Sequence, residues 1–424
     1  MRICFITNLY PPHGRGGAER VVEQEARALH ALGHDVSVIT AEPVREDGSI
    51  EVRTTVEDGI RVHRFYPLNL FFYGEIGRHG AFARLLWHLR DLRNPSSARV
   101  VAETLRRERP DIVHTHNLKG LGFGIPRIIR RLGIRHVHTL HDVQLAVPSG
   151  LILKGGERAF GVADPFSRFF ASTVRGLFGS PDVLLSPSRF LLRFYEERGF
   201  FPRSERILLP NPAPAPKRIG RTPSVETRFL FLGQLEVHKG LLLLIEAFRR
   251  LAKDRPKIRL DIVGAGSASE SAMRAAGKDV RIVFYGKRNP AQFDEMFSKV
   301  DYTVMPSLCY ENAPNVVIES FAYGVPVIAA DIGGAAELVR HGQNGLVFEA
   351  GSVASLISAM RRACDEKGAW SGRSTSAGRS AELLSAGRHV ERLERLYAGT
   401  DPAFSHRGPV VPVRYFPKAE YRKT

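Results

Sequence analysis

Two glutamates eight residues apart, Glu311 and Glu319, stand in the stretch Pro306–Ala330, PSLCYENAPNVVIESFAYGVPVIAA. A strand is expected to end near Met305, with Glu311 in the loop that follows. Pro314 is placed as the first residue of a helix, with Asn312 as its cap and Gly324 as its stop. A helix start at a strand's carboxyl end offers unpaired N–H groups and partial positive charge, which suits a diphosphate. Glu319, one to two turns into that helix, can accept two hydrogen bonds from a ribose diol, and Glu311 would face a sugar. A second segment, FLGQLEVHKGL over Phe231–Leu241, places Lys239 before another helix start. Lys239 is then either a point charge for phosphate oxygens or a solvated surface lysine. A third, NLYPPHGRGGAE over Asn8–Glu19, carries Gly14, Gly16 and Gly17. Without Cβ atoms these let backbone N–H groups approach a ligand, or simply make a tight turn. The segment is not a G-x-G-x-x-G dinucleotide fingerprint. His114, His116, His138 and His141 all fall on two expected strands. They read as partnered polar groups near a cleft, as a metal site lacking a known motif's carboxylate spacing, or, for His141, as a partner for a sugar hydroxyl.

Short apolar runs and longer helical patterns alternate along the chain, and these must position the groups above. Strands are expected at Ile3–Thr7, Val36–Thr40, Ile112–His116, Val137–His141 and Val183–Ser186, with a helix at Ala18–Leu32. Residues 210–223, PNPAPAPKRIGRTP, hold five prolines in fourteen residues and exclude both helix and central strand. The alternation then restarts, with strands at Phe229–Leu232, Arg259–Val263, Arg281–Tyr285, Tyr302–Met305, Val325–Ala329 and Gly345–Phe348. Helices are expected at Leu241–Leu251 and Ala291–Ser298. The pattern weakens after about residue 366, apart from a helical spacing at His389–Tyr397. The fold class read from this is α/β, two doubly wound Rossmann-like units facing across a cleft. The expected organisation is residues 1–209 for a first Rossmann-like domain, 210–224 for a proline-rich linker and 225–385 for a second Rossmann-like domain. A C-terminal helix over 386–400 and a poorly ordered basic tail over 401–424 complete it.

Of the 424 residues, 43% are hydrophobic and 25% charged, which excludes a disordered chain or a collagen repeat. Three scattered cysteines, Cys4, Cys309 and Cys364, form no C-x-x-C and indicate neither a disulfide framework nor zinc. A formal charge of +17 favours an anionic partner. It is spread over both halves and no nucleic-acid motif accompanies it, so no nucleic-acid partner is expected. No run of 18 apolar residues exists to span a membrane, and the start is too briefly apolar for a signal peptide. Leu68–Arg93 and Asp164–Phe178 mix aromatics with arginine. Each is either a core helix covering the sheet or a basic amphipathic helix for an anionic membrane surface.

GGAERVVEQEARALHALGHDVSVIT, VHTHN, LHD, FLGQLEVHKGL and ENAPNVVIESFAYGVPVIAADIGGAAELV together resemble family-four glycosyltransferases of the GT-B fold, over roughly residues 1–365. The resemblance implies a retaining, metal-independent transfer from a nucleotide-diphosphate sugar, used as co-substrate with no other cofactor, with residues 1–209 as the acceptor-binding domain and 225–385 as the nucleotide-sugar-binding domain. By position, Glu311 matches the glutamate that contacts the donor sugar, and Glu319 the one that holds the ribose. Asn312, Ala313 and Pro314 match the turn around sugar and phosphate, and Lys239 matches the diphosphate lysine. Gly16 and Gly17 match the glycine loop at the cleft, and His141 a cleft histidine that contacts sugar in some members. The family usually has Arg where this chain has Gln234, which brings no charge; Arg15 is a candidate substitute cation. The implied role is assembly of a surface polysaccharide or glycolipid in the cytoplasm, on a glycan or lipid-linked acceptor, with peripheral contact to the membrane's inner face. Rivals are a sugar-nucleotide epimerase on the same scaffold and a non-catalytic nucleotide-sugar-binding homologue. Oligomeric state is not read from the sequence.

Overall fold

Runs of three to seven residues, most of them rich in Val, Ile, Leu and Phe, form strands, and the central ones are apolar throughout because helices cover both of their faces. The computed structural model describes residues 1–14, 16–158, 162–217, 224–289 and 292–402. Its first half contains β1 (Arg2–Thr7), β2 (Asp35–Ala41), β3 (Arg53–Glu57), β4 (Ile60–Phe65), β5 (Ile112–Thr115), β6 (Arg135–Thr139), β7 (Val183–Ser186) and β8 (Glu205–Leu208). They form one sheet in the order β3-β4-β2-β1-β5-β6-β7-β8. Every pairing in it is parallel except β3 with β4. Helices α1 (Gly17–Ala31), α2 (Ala81–Asp91), α3 (Pro95–Glu108), α4 (Ile125–Arg131), α5 (Pro165–Phe178) and α6 (Arg189–Glu196) connect these strands.

The second half contains β9 (Thr227–Leu232), β10 (Ile258–Val263), β11 (Ile282–Phe284), β12 (Tyr302–Met305), β13 (Val327–Ala330) and β14 (Gly345–Phe348). Their order is β11-β10-β9-β12-β13-β14, all parallel. The helices are α7 (Leu241–Asp254), α8 (Ser269–Ala276), α9 (Phe293–Phe297), α10 (Asn315–Ala322), α11 (Ala335–Leu338), α12 (Val353–Asp365), α13 (Trp370–Leu383) and α14 (Ala386–Ala398). This is the doubly wound order whose direction reverses between β9 and β12, and a ligand crevice opens outside such a reversal. The corresponding reversal in the first sheet lies between β1 and β5.

The chain does not end on its second sheet. Helix α14 returns to the first one, where Val390, Leu393, Leu396 and Tyr397 are buried with Phe5, Val22 and Leu29. Arg135 of β6 donates to the terminal carbonyls of Leu396 and Tyr397 at 2.9 and 3.0 Å, pairing a cation with the negative end of that helix.

Several elements depart from the sequence reading, among them β8, which was not assigned. The β3–β4 hairpin was not assigned, although Asp58-Gly59 between alternating runs is a hairpin signal. Both turn residues have positive φ, 50° and 81°. Helix α13 falls where the pattern weakens, because the residues it buries, Arg373, Ala377 and Ala381, form a stripe at four-residue spacing with little apolar mass. Ala377 and Ala381 nonetheless pack on Ile318 and Phe321. Strand β13 starts two residues later than expected, beyond Pro326, which has no N–H to give a ladder. Residues 211–217 form no helix or continuous strand. The remaining linker residues 218–223 and tail residues 403–424 lie outside the described residues.

Helix α2 is tied down by a buried carboxylate. Asp91 accepts the Gly120 N–H at 2.9 Å, and its other oxygen has no partner. Burial pushes its carboxyl up from 3.8 to about 7, with the Gly120 bond and Lys119 pulling the other way. The folded pKa is above the unfolded one, so this stabilisation is full below about pH 4 and is lost as pH rises through about 7. At 1.36 kcal/mol per unit the swing is about 4 kcal/mol at most. In urea melts from pH 4 to 8, Asp91→Asn is therefore expected to gain on the wild type as pH rises. Parallel pH dependences for the two proteins would show that Asp91 does not titrate in this window.

Candidate functional site

Lys239 and Glu311 occupy the two strand ends that flank the reversal in the second sheet. Lys239 closes a short 3-10 turn after β9, and Glu311 lies in the loop after β12. Lys239 Nζ donates to Glu311 Oε1 at 2.8 Å, and Ser307 Oγ donates to the same oxygen at 2.6 Å. Burial opposes charge on Lys239, but the Glu311 carboxylate beside it outweighs burial and holds the ammonium above its ordinary value. Gly240, which follows at φ 73°, allows this approach. A Cβ there would meet the Pro306 carbonyl oxygen at 1.9 Å.

A cavity of about 180 Å³ lies over this pair. Its lining includes His141, Asp142 and Phe190 from the first half, and Lys239, Glu311 and Asn312 from the second. The structure thus gathers His141, Lys239, Glu311 and Asn312 into one concave site between the two sheets. Burial pushes the His141 imidazole down to about 4, so it is neutral at pH 7. Its Nε2 is 2.8 Å from His116 Nδ1.

Asn312 does not cap the helix. Pro314, in extended conformation, is the cap residue, and the helix starts at Asn315. The Asn312 side chain is used across the cleft instead. Its Nδ2 donates to the His141 carbonyl at 3.0 Å, and its Oδ1 accepts from Ser188 Oγ. The Ala313 carbonyl accepts from Asn211 Nδ2 at 3.4 Å. Glu337 extends the same seam by accepting the Arg189 and Phe190 N–H groups at the start of α6, at 2.9 and 2.7 Å.

Glu319, Gly16 and Gly17 gather one step away, where α1 meets α10. Arg20 Nη1 reaches Glu319 Oε1 at 2.9 Å across the gap. Burial raises the Glu319 carboxyl above its usual range, and Arg20 offsets part of that rise. Gly16 is the cap of α1 and Gly17 its first residue. A Cβ on Gly17 would lie 2.8 Å from Asn315 Nδ2, so the absent side chain admits the other half of the molecule. Gln234 is exposed on the loop after β9, outside the cavity lining. Arg15 lies outside the described residues.

The histidines form a buried network with a carboxylate that the sequence reading missed. His114 Nε2 meets Thr139 Oγ1 at 2.8 Å and His114 Nδ1 meets Tyr397 Oη at 2.7 Å. His138 points to the opposite face, among Phe178 and Phe201. Glu25 of α1 is 1% exposed and sits beside His114 and His116. Ligand atoms of Glu25, His114 and His116 lie within 4.8 Å of one another, the one such grouping compatible with a metal ion among the described residues. The signal for Glu25 was its place on the apolar face of α1, one turn after Val21 and Val22. Arg20 and Ser307 were also missed; both sit within motifs already singled out.

Two family models match the chain. One, described as Glycosyltransferase Family 4, matches residues 15–215, and another, described as Glycosyl transferases group 1, matches residues 226–366. The chain is 27% identical over 392 residues to a glycogen synthase of Mycobacterium tuberculosis, covering 89% of each. It is 26% identical over 340 residues to an uncharacterized 42.6 kDa protein in the cps region of Klebsiella pneumoniae, covering 80% of this chain and 88% of that one. The crystal structure of Anabaena Alr3699/HepE in complex with UDP superposes with a TM-score of 0.67 at 17% identity, over 94% of this chain and all of the other.

Proposed function

Given that the chain belongs to the family 4 glycosyltransferases, with the GT-B fold, we propose that it is a retaining enzyme moving a sugar from a nucleotide diphosphate to a glycan or lipid-linked acceptor. The observation that carries this is the Lys239–Glu311 pair at 2.8 Å, on the two strand ends that flank the sheet reversal. In this reading Lys239 meets the diphosphate oxygens, and Glu311 and His141 meet the donor sugar. The donor's bond from anomeric carbon to phosphate oxygen breaks, and its electron pair leaves with the diphosphate. The acceptor oxygen bonds the same carbon on the same face, and its proton passes to the departing phosphate. Lys239 stabilises the charge that develops there, in a partly dehydrated cleft where a fixed cation acts strongly. Metal independence follows from giving this task to Lys239, so transfer is expected to persist within about two-fold in chelator. The relatives' glycogen synthase and the UDP complex support a nucleotide-sugar donor. Surface polysaccharide or glycolipid synthesis in the cytoplasm is the role we assign, the relative from a cps region supporting its polysaccharide part.

The reading is tested by nucleotide release from a panel of UDP- and GDP-sugars, with and without lipid-linked acceptor. Calorimetry with UDP and GDP identifies the base. Acceptor-dependent release supports transfer. Interconversion of the donor without release would favour an epimerase, and binding without turnover a non-catalytic homologue.

The acceptor side bears on the membrane. No helix among the described residues is long and apolar enough to cross one. Helix α2 buries only Trp87 and Asp91, and exposes Phe82 at 74% together with Leu85, Leu86 and Leu89. Phe169 of α5 is 64% exposed, whereas Phe170, Val174 and Phe178 belong to the core. We assign the exposed face of α2, with Arg84 and Arg90 on the same helix, to an anionic lipid surface. Replacing Phe82 and Leu86 together by Ser is expected to weaken partition onto vesicles of anionic phospholipid at least ten-fold. Unchanged co-sedimentation would remove that face from the acceptor reading.

A further inference from the structure

A line of polar groups runs from the core of the first half to the cleft. His389 Nδ1 lies 2.9 Å from the Pro210 carbonyl, which only accepts, so Nδ1 carries a proton. His389 Nε2 and Glu25 Oε1 are 2.8 Å apart and share a second proton. Whichever atom holds that proton, Glu25 Oε2 carries none and can only accept. Oε2 is buried without a hydrogen-bond partner, as is His116 Nε2, and these two atoms face each other at 3.6 Å. This separation is too long for a hydrogen bond, but a lone pair on His116 Nε2 would be set against the Glu25 oxygen, so the neutral ring is favoured with its proton on Nε2 and its lone pair on Nδ1. His141 Nε2, 2.8 Å from that lone pair, must donate to it. The rings of His116 and His141 are stacked, with centroids 5.1 Å apart. The nitrogen left to His141, Nδ1, therefore has a lone pair as well.

We infer that Glu25 is a positioning residue that acts through His116 to fix the tautomer of His141, so that the cleft receives a hydrogen-bond acceptor at His141 Nδ1. The consequence is selectivity for a group that donates, namely a sugar hydroxyl. Glu25 is suited to this because its Oε2 is acceptor-only and buried, and its Oε1 is held by a histidine from the returning helix α14. An apolar residue would suit the surrounding face of α1 better on burial grounds alone. This inference rests on the reading that His141 faces a donor sugar.

The test uses the full chain labelled with 15N at histidine. Long-range proton–nitrogen correlations report which ring nitrogen is protonated, and His141→Gln and His116→Gln assign the two signals. Both rings are expected as Nε2–H tautomers between pH 6 and 8, with the Nδ1–H form of His116 becoming populated in Glu25→Leu. An Nδ1–H form of either ring in the wild type overturns the inference; a metal ion on His116 Nε2 would produce that result. In parallel, Glu25→Leu is expected to lower kcat about ten-fold with donor KM within two-fold, and to cause no further loss in a His141→Ala background. Equal losses in both backgrounds would show a merely structural role and overturn it. The expected tautomers without any glycosyl transfer would leave the inference standing and sink the transferase reading. If Glu25→Leu does not fold, the wild-type spectrum alone decides.

Discussion

Lys239→Ala is expected to lower kcat about a thousand-fold while the protein stays folded. Removing one fixed donor aimed at developing oxyanion charge costs roughly 10²–10³ in rate in other enzymes, and here the donor also carries a full charge. Lys239 is part-buried, with 26% of its side chain exposed, and its ammonium is held ionised by Glu311 at 2.8 Å. Truncation leaves that carboxylate with Ser307 as its remaining side-chain donor at 2.6 Å. The loss should fall on kcat more than on donor KM, because the charge on the bridging oxygen grows only as the bond breaks. Initial rates of nucleotide release, with a thermal melt on the same preparation, measure both. A rate within ten-fold of wild type, in a protein that melts normally, would remove Lys239 from the diphosphate site.

The alternation of short apolar runs and helices was readable because central parallel strands are buried on both faces and lose nothing by being uniformly apolar. The ends of those strands could be located for the same reason, which is why Lys239 and Glu311 were each placed at the cleft from sequence. What sequence could not show is how the two halves touch. Asn312 has the chemistry of a helix cap, and local preference places it there. The His141 carbonyl and the Ser188 hydroxyl, more than a hundred residues away, take its side chain instead. Lys239 alone was ambiguous between a solvated lysine and a phosphate ligand, since only its distance to Glu311 separates the two. Glu25 was visible as a carboxylate on an apolar helix face, but its meaning depends on α14 crossing back from the far end of the chain. Small residues hid α13, because alanine packs closely while contributing little to a hydrophobic pattern.

Glu319→Ala is expected to weaken nucleoside diphosphate binding about a hundred-fold, an effect that fits the loss of two hydrogen bonds to a charged acceptor, each on the order of 1.5 kcal/mol. The structure gives Glu319 a competing task, because Arg20 holds its Oε1 at 2.9 Å from the other side of the cleft. If the carboxylate served only as a latch between the two halves, Arg20→Ala and Glu319→Ala would have the same consequence. If it receives the ribose, the two must differ. Arg20 then occupies an oxygen that the ribose needs, and its side chain is half exposed, so losing the pair itself costs little. Arg20→Ala is therefore expected to change the Kd by no more than about three-fold. Without Arg20 the burial that raises the Glu319 carboxyl is no longer offset, so the variant's binding should fall off at a higher pH than the wild type's on acidification. Calorimetry of both variants across pH 5 to 8, with whichever of UDP and GDP binds the wild type, separates the two roles. Matching losses in the pair would make Glu319 an interdomain latch and leave the ribose to another group.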